Sequence, residues 1–102
     1  MEDMELICLQ IISNAGEARS ESMAALAAAR NSRFDEAGEH LAAAGEKMKE
    51  AHHVHTRLIT MDANGELDKI SLIMIRSEDI MMGAEITLAL AKEIVELYKS
   101  RA

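Results

Sequence analysis

The sequence predicts an all-α protein, and three features of its composition support that fold class. The 102 residues contain no proline or tryptophan, and aromatic residues are only 2% of the chain. β-Sheets rely on aromatic and β-branched residues and on turns that contain glycine or proline. Alanine, leucine, glutamate and eight methionines, which are good helix formers, take their place. Since single domains commonly have this length, we predict one helical domain over residues 1–102.

Two short segments interrupt the helical periodicity and divide the chain into helices at about residues 2–30, 33–62 and 67–101. In the first segment, Ser32 is suited to cap the second helix, and Asp35 completes a weak capping box three residues later. In the second segment, Gly65 is suited to the left-handed conformation that ends many helices. The sequence therefore predicts an antiparallel bundle of three helices.

The third helix carries two apolar faces, whereas an amphipathic surface helix needs only one. The first face contains Leu72, Ile75, Met82, Ile86, Leu90, Ile94 and Leu97, and the second contains Ile70, Ile73, Ile80, Ala84, Leu88, Ala91, Val95 and Tyr98. Three helices of about 28 residues form a rod about 42 Å long, which is too thin to bury both faces. We expect one face to pack inside the subunit and the other against copies of the chain. The candidate interface residues are Ile73, Ile80, Ala84 and Leu88.

Charge and cysteine content exclude several classes of function. The net charge is −7 and the pI is near 5.0, which argues against nucleic acid or an anionic membrane as partner. No apolar run is long enough to span a membrane, and the first residues lack the basic-then-apolar pattern of a secretory signal. The single Cys8 cannot form an internal disulfide and is expected to be a small buried hydrophobe. We therefore expect a cytoplasmic protein.

Asp79 and a group of histidines are the side chains best suited to chemistry. Asp79 lies within the first apolar face of the third helix, where a carboxylate must be paired, protonated, bound to a metal or in reach of water. His52 and His55 share one helix face and are close enough to bind a common metal, whereas His53 points elsewhere. Packing or hydrogen bonding is the alternative role for these histidines. No nucleophile elbow, phosphate loop or paired-carboxylate motif accompanies them.

Small residues on the first two helices indicate a second contact surface. Gly38, Ala42 and Gly45 lie on one face of the second helix, and the first helix contributes Ala24 and Ala27. A glycine inside a helix costs about 1 kcal/mol relative to alanine, which is compensated only where something packs closely against it. We expect this surface to contact a partner protein or another assembly of the same chain, and the alternative is an ordinary solvent-exposed face.

Several short motifs occur in order along nearly the whole chain. They are Asn14–Ser20, Phe34, Glu50–His53 with Thr56, Ser71-Leu72, Asp79 and Glu96–Lys99. Together they resemble the lactose/cellobiose-type enzyme IIA of the bacterial sugar phosphotransferase system. The resemblance implies a three-helix subunit in a nine-helix homotrimer. It also implies a third-helix histidine that takes a phosphoryl group from the general histidine phosphocarrier protein and passes it to a IIB component, and a divalent metal held near the threefold axis by one aspartate from each subunit.

The third-helix motif of this chain departs from the family pattern. The family reads His-Ala-Gln-Asp-His, whereas this chain reads Arg76-Ser77-Glu78-Asp79-Ile80. The resemblance therefore assigns the metal position to Asp79 and the acceptor-histidine position to Arg76. A guanidinium group is always protonated and cannot attack phosphorus, so we expect a phosphocarrier scaffold that is itself inactive. Arg76 can instead reach Asp79 and supply positive charge in place of the metal.

Two other functions remain open at this point. One is a working phosphocarrier in which a different histidine accepts the phosphoryl group, so that the chain is an enzyme subunit. The other is an engineered or divergent trimeric building block for protein–protein assembly, with no catalytic role. Phosphate incorporation distinguishes the first from the scaffold, and particle size in solution distinguishes the second.

Overall fold

The computed structural model describes residues 3–102 and contains three long helices and no strand within those residues. The helices are α1 (Met4–Arg30), α2 (Phe34–Ala63) and α3 (Leu72–Ser100). α1 packs extensively against both α2 and α3, whereas α2 and α3 share a smaller contact. No helix within residues 3–102 is long and apolar enough to cross a membrane. The predicted all-α fold class is confirmed.

The bundle is elongated rather than round. Its Cα atoms extend over 53 × 17 × 17 Å, and their radius of gyration is 15.9 Å. A compact chain of this length has a radius of gyration of about 13 Å. The accessible surface is 6662 Å², compared with about 5,700 Å² for a typical monomer of this mass. The single subunit therefore leaves more surface in contact with water than a compact domain does.

α1 and α3 each begin directly after a residue whose side chain caps the helix. Asp3 Oδ1 accepts a hydrogen bond of 3.0 Å from the backbone N–H of Glu5. Ser71 has an extended backbone, and its hydroxyl oxygen accepts a bond of 3.4 Å from the N–H of Met74. α3 therefore begins at Leu72, and the predicted start at residue 67 is wrong. A serine cap of this kind satisfies one of the N–H groups that the first helical turn leaves unpaired.

α1 and α2 end in the same backbone motif. At the end of α1, Ser32 has φ 60, its N–H donates to the carbonyl of Ala29, and the next N–H donates to Ala28. At the end of α2, Gly65 takes the equivalent position with φ 70. This is the Schellman arrangement, in which a left-handed residue lets the chain satisfy the last carbonyl groups. The prediction for Gly65 is confirmed, whereas Ser32 terminates α1 instead of capping α2, whose N-cap Arg33 makes no side-chain capping bond.

The core consists of two apolar clusters. The larger one is formed by all three helices and includes Ile7, Cys8, Ile11, Met48, Leu58, Met74 and Leu88. The smaller one lies where α1 ends and α2 begins, and it contains Ala25, Ala28, Ala29, Ala37 and Val95. Two serines are the fully buried polar residues of the described chain, and both donate to carbonyl groups of their own helices at 2.8 Å. They satisfy their hydrogen-bonding capacity locally, so the core needs no buried polar network.

Candidate functional site

α3 leaves one of its apolar faces uncovered. We call this face the α3 apolar stripe; its members, which are 37% to 80% exposed, are Leu72, Ile75, Met82, Ile86, Leu90, Ile94 and Leu97. On the opposite side of the helix, Met81, Leu88 and Val95 are each at most 7% exposed. The prediction that only one face packs inside the subunit is confirmed. Large contiguous apolar patches are uncommon on monomeric proteins and mark interaction sites.

The four residues predicted to form an interface between copies do not belong to this stripe. Ala84 and Leu88 lie in the core of the subunit, where they are 0% and 7% exposed. Ile73 and Ile80 are half-buried and pack against the same core. That prediction therefore chose the wrong face of α3. The two apolar faces are similar in sequence, and only the position of α1 and α2 decides which of them is covered.

Two charged side chains interrupt the stripe near its N-terminal end. Across the width of the stripe, Asp79 lies on the midline, between Ile75 and Met82. Arg76 lies one turn earlier at the edge of the stripe, about 60° away around the helix. Both side chains are exposed, and neither forms an ion pair with another described residue. Ser77 follows Arg76 in sequence but points into the core. The two opposite charges thus lie unpaired near the N-terminal end of the face, and the exposed Glu93 is a further charge near its C-terminal end.

The stripe offers charge and apolar surface but no phosphoryl-accepting nucleophile. α3 contains no histidine and no cysteine, because all four histidines lie on α2 and Cys8 lies on α1. A guanidinium group donates hydrogen bonds and carries a permanent positive charge, and it has no lone pair with which to attack phosphorus. The stripe is therefore suited to bind an apolar partner with charges that complement Arg76 and Asp79.

Two of the histidines connect α2 to α3. His55 Nε2 lies 2.5 Å from a carboxylate oxygen of Glu78, and His52 Nε2 lies 2.5 Å from one of Glu85. The two imidazoles therefore contact different carboxylates, and no single side chain bridges them. A hydrogen-bonding role is confirmed for His55, whereas His53 is exposed and has no partner among the described residues. Sequence reasoning missed the two glutamates because they are distant in the chain and meet the histidines only when α2 folds back along α3.

Two further pairs of polar side chains connect α2 to α1. His40 Nδ1 lies 2.6 Å from Glu21, and Lys47 Nζ lies 2.7 Å from Glu17. The hydrogen bond and the charge of Glu17 raise the pKa of Lys47 above its ordinary value. Both pairs are well exposed to solvent, and such pairs contribute little to stability.

The described residues contain no ready-made metal site. No group of three or more histidine, cysteine, aspartate or glutamate side chains within residues 3–102 is placed to hold a metal ion. On the stripe, a single subunit offers the one carboxylate of Asp79. A metal at this position therefore requires ligands from further copies of the chain.

The residues of the predicted second contact surface are partly exposed. Ala27, Gly38 and Ala42 are exposed, and Ala24 and Gly45 are half-buried. A Cβ atom added at either glycine would meet no atom within 4 Å. Nothing inside the subunit therefore requires glycine at these positions, and the contact surface stays a prediction.

A cavity of about 340 Å³ opens where α2 ends and α3 begins, a feature that the sequence did not reveal. Apolar side chains dominate its lining, which includes Leu58, Ile59, Leu67, Met74 and Ile75 with the acidic Asp62 and Glu78. Ile75 also belongs to the α3 apolar stripe, so the cavity and the stripe are continuous. The apolar surface available to a partner therefore extends from α3 onto the end of α2.

Cys8 is buried in the larger core cluster, as predicted, and its Sγ lies 3.6 Å from Met4 Sδ. Burial raises the pKa of the thiol above its ordinary value, because a thiolate is poorly solvated there. A thiol that is both inaccessible and protonated is unreactive. Cys8 is therefore a packing residue.

Comparison with protein families gives one match that covers almost the whole chain. The family described as "PTS system, Lactose/Cellobiose specific IIA subunit" matches residues 6–99. The lichenan-specific phosphotransferase enzyme IIA component of Bacillus subtilis is 41% identical over 98 residues, which are 96% of this chain and 89% of that protein. The lactose-specific EIIA component of Staphylococcus epidermidis is 36% identical over 98 residues, with 96% and 94% of the two chains covered.

Solved structures agree with these sequence matches. The cellobiose-specific enzyme IIA from Bacillus anthracis superposes with a TM-score of 0.91 at 40% identity, covering 98% of this chain and 93% of that one. The IIA(Chitobiose)–HPr complex from Escherichia coli gives a TM-score of 0.84 at 31% identity, covering 98% and 97%. The three-helix fold and the order of the helices are therefore shared along the whole chain.

Proposed function

Because this chain belongs to the lactose/cellobiose-specific IIA subunit family of the phosphotransferase system, we propose that it is a homotrimeric IIA-type scaffold in sugar uptake that no longer accepts a phosphoryl group itself. One observation supports the loss of phosphoryl acceptance. Arg76 occupies the position to which the family resemblance assigns the acceptor histidine, and α3 contains no histidine at all.

The chemistry of the relay depends on an imidazole at this position. A neutral imidazole nitrogen is nucleophilic near pH 7 and its phosphoryl adduct transfers readily, whereas arginine stays protonated. Ile80, one turn later, replaces the second histidine that the resemblance implies and adds no polar group. Both changes remove proton-handling groups from the same stretch of α3.

His55 is the residue that most needs to be excluded as a replacement acceptor. It contacts Glu78, which lies two residues after Arg76, so it is near the substituted position. Its side chain is only 17% exposed, and its Nε2 is occupied by the carboxylate of Glu78. An acceptor has to present a free ring nitrogen to an incoming protein, whereas this side chain is mostly covered and its Nε2 is already paired.

The proposal is tested by phosphoryl transfer followed by intact-mass measurement. The chain is incubated with phosphoenolpyruvate, enzyme I and the histidine phosphocarrier protein, with the lichenan-specific relative from Bacillus subtilis as the positive control. We expect the relative to gain one phosphoryl group and this chain to keep its mass. A phosphorylated histidine on this chain would refute the inactive scaffold, and loss of the signal in His55→Gln would then identify the substitute acceptor.

The α3 apolar stripe supports the trimeric part of the proposal. Exposure of seven large apolar side chains in one row to water is energetically unfavourable. The subunit also has more accessible surface than a compact monomer of its mass. Closed cyclic symmetry lets each copy cover the stripe of its neighbours without leaving an open end. Light scattering at micromolar concentration is expected to give three times the mass of one chain, and a monomeric mass would contradict this.

The partners proposed for the scaffold are the histidine phosphocarrier protein and a IIB component. The Escherichia coli relative has been solved as a IIA(Chitobiose)–HPr complex, and its subunit fold matches that of this chain. A scaffold without an acceptor can still dock a carrier and keep it from other IIA proteins. Calorimetric titration with the phosphocarrier protein is expected to give a one-per-subunit complex, and no heat of binding would limit the proposal to assembly alone.

A building block for higher assembly is the alternative function. It is favoured by the free space at Gly38 and Gly45, where a Cβ atom would meet nothing within 4 Å and another protein could approach the backbone of α2. The double substitution Gly38→Lys with Gly45→Lys is expected to keep the trimer and abolish any larger particle. If the unmodified protein is only a trimer and retains no partner on this face, the alternative function is wrong.

A further inference from the structure

Asp79 and Arg76 are opposite charges one helical turn apart near the N-terminal end of the α3 apolar stripe, and the exposed Glu93 lies on the same face nearer its C-terminal end. Asp79 lies at the centre of the α3 apolar stripe, with Ile75 and Met82 as its neighbours along the helix. A carboxylate in such a place keeps its charge only if a positive group reaches it once the stripe is covered. Within residues 3–102 of one subunit, no such group pairs with it.

The divalent metal that the family resemblance implies does not fit the residues present. One subunit offers a single carboxylate on this face, and no group of three ligands exists among the described residues. More important, Arg76 brings a permanent positive charge within one helical turn of Asp79. A cation placed between copies of Asp79 would also lie among copies of Arg76 and be repelled by them.

We propose that the stripe is covered by second and third copies of this chain, with Arg76 of each copy pairing with Asp79 of its neighbour, so that the assembly forms without a metal. This inference rests on the homotrimer of the proposed function. In a parallel cyclic arrangement, each residue of the stripe meets the same residue of the other copies. Asp79, at the centre of the stripe, then faces the axis, and Arg76, at its edge, points towards one neighbour.

Charge complementarity is the argument for this occupant over an unrelated protein. Near its N-terminal end the stripe carries one basic and one acidic side chain, spaced by one turn, and neither has an ion-pair partner among the described residues of the subunit. A copy of the same surface supplies the missing partner of each at once. Guanidinium–carboxylate pairs of this kind form two parallel hydrogen bonds, which also fix the register of the packed helices. The three Arg76–Asp79 pairs form a ring around the threefold axis, which we call the ionic ring. This ring fixes the alignment of the three copies of α3, which apolar contacts alone do not specify.

Sedimentation equilibrium in the presence of EDTA tests the inference on the full chain. We expect a trimeric mass that neither EDTA removes nor added Mg²⁺ or Mn²⁺ strengthens. In Arg76→Gln, the concentration at the midpoint of assembly should rise at least about tenfold, because Asp79 loses its partner in a covered site. Divalent cation should then restore assembly, which a merely structural role of Arg76 would not predict. Lys92→Gln is the matched control, because it removes the same charge from an exposed position of α3 outside the stripe and should have no effect.

The outcomes separate this inference from the proposed function. A trimer that dissociates in EDTA, or an Arg76→Gln variant that behaves like Lys92→Gln, would overturn the ionic ring while leaving the trimeric scaffold standing. A monomer or a two-copy particle in every buffer would overturn the trimer and the ring together. The double substitution Arg76→Leu with Asp79→Leu should assemble regardless of metal, which shows that the variants fold and that the apolar stripe is the underlying contact.

Discussion

Replacement of Ile86 by alanine tests whether the α3 apolar stripe drives assembly. Ile86 lies in the middle of the stripe and is 58% exposed in the single subunit. Shortening a fully buried isoleucine to alanine loses about 2.4 kcal/mol of burial energy, so covering the exposed part is worth about 1.4 kcal/mol per subunit. Three copies of the substitution therefore remove about 4 kcal/mol from the trimer, which corresponds to a factor of about 1,000 in its association constant.

The assay is the concentration dependence of the mass, followed by sedimentation equilibrium or light scattering. The midpoint concentration of a trimer varies with the square root of its association constant, so Ile86→Ala should raise the midpoint about 30-fold. Leu9→Ala is the matched control, because Leu9 is 49% exposed but lies on α1, outside both the stripe and the cavity that adjoins it. It removes three carbon atoms, as Ile86→Ala does, from a similarly exposed position, and we expect its midpoint to equal that of the unmodified protein.

Two results would refute this reasoning. If Ile86→Ala assembles as tightly as the unmodified chain, the stripe is not covered in the assembly. If both variants weaken assembly equally, the contact extends over α1 and is not specific to α3. Circular dichroism and thermal melts of both variants ensure that the comparison concerns assembly and not folding of the subunit.

Three further predictions concern the site, the helix ends and the core. The double substitution Arg76→His with Ile80→His should enable the chain to gain a phosphoryl group in the intact-mass assay, and failure would mean that other positions also differ from the family site. Ser32→Gly should raise the free energy of unfolding by about 0.5–1 kcal/mol, because serine is strained at φ 60, and the reciprocal Gly65→Ser should lower it by a similar amount in thermal melts. Because burial raises the pKa of Cys8, the folded thiol keeps its proton at pH values where the unfolded thiol has lost it. Its contribution to stability is complete below the ordinary pKa of 9.0 and falls as the pH rises above it, and Cys8→Ala should flatten this part of the pH profile of stability.

The helix ends illustrate how far local sequence reasoning extends. Gly65 was predicted to end a helix and does so, because only glycine reaches the left-handed region without a steric cost. Ser32 was predicted to start a helix and instead ends one, because serine suits both positions and the packing of α1 decides between them. Ser71 has the residue type of an N-cap and begins α3, whereas the predicted start lay at about residue 67. Local propensity gives candidates for a helix end, and tertiary contacts choose among them.

The sequence by itself determined the helical class, the presence of three helices and the two apolar faces of α3. These follow from residue composition and from a periodicity of 3.6 residues, which depend only on neighbours along the chain. It also identified Asp79, because a charge in an apolar row stands out without any structure, whereas Arg76 was identified through the family resemblance.

Only the tertiary structure decided which face of α3 is buried and which is left to a partner. Ala84 and Leu88 pack in the core, whereas Ile86 and Leu90 remain exposed, although all four are apolar. It also brought His55 to Glu78, a contact between residues that are 23 positions apart. The physical reason is the same in both cases: burial and ion pairing depend on how α1 and α2 lie against α3. That arrangement is set by the summed packing of the whole bundle and not by the pattern of any one helix.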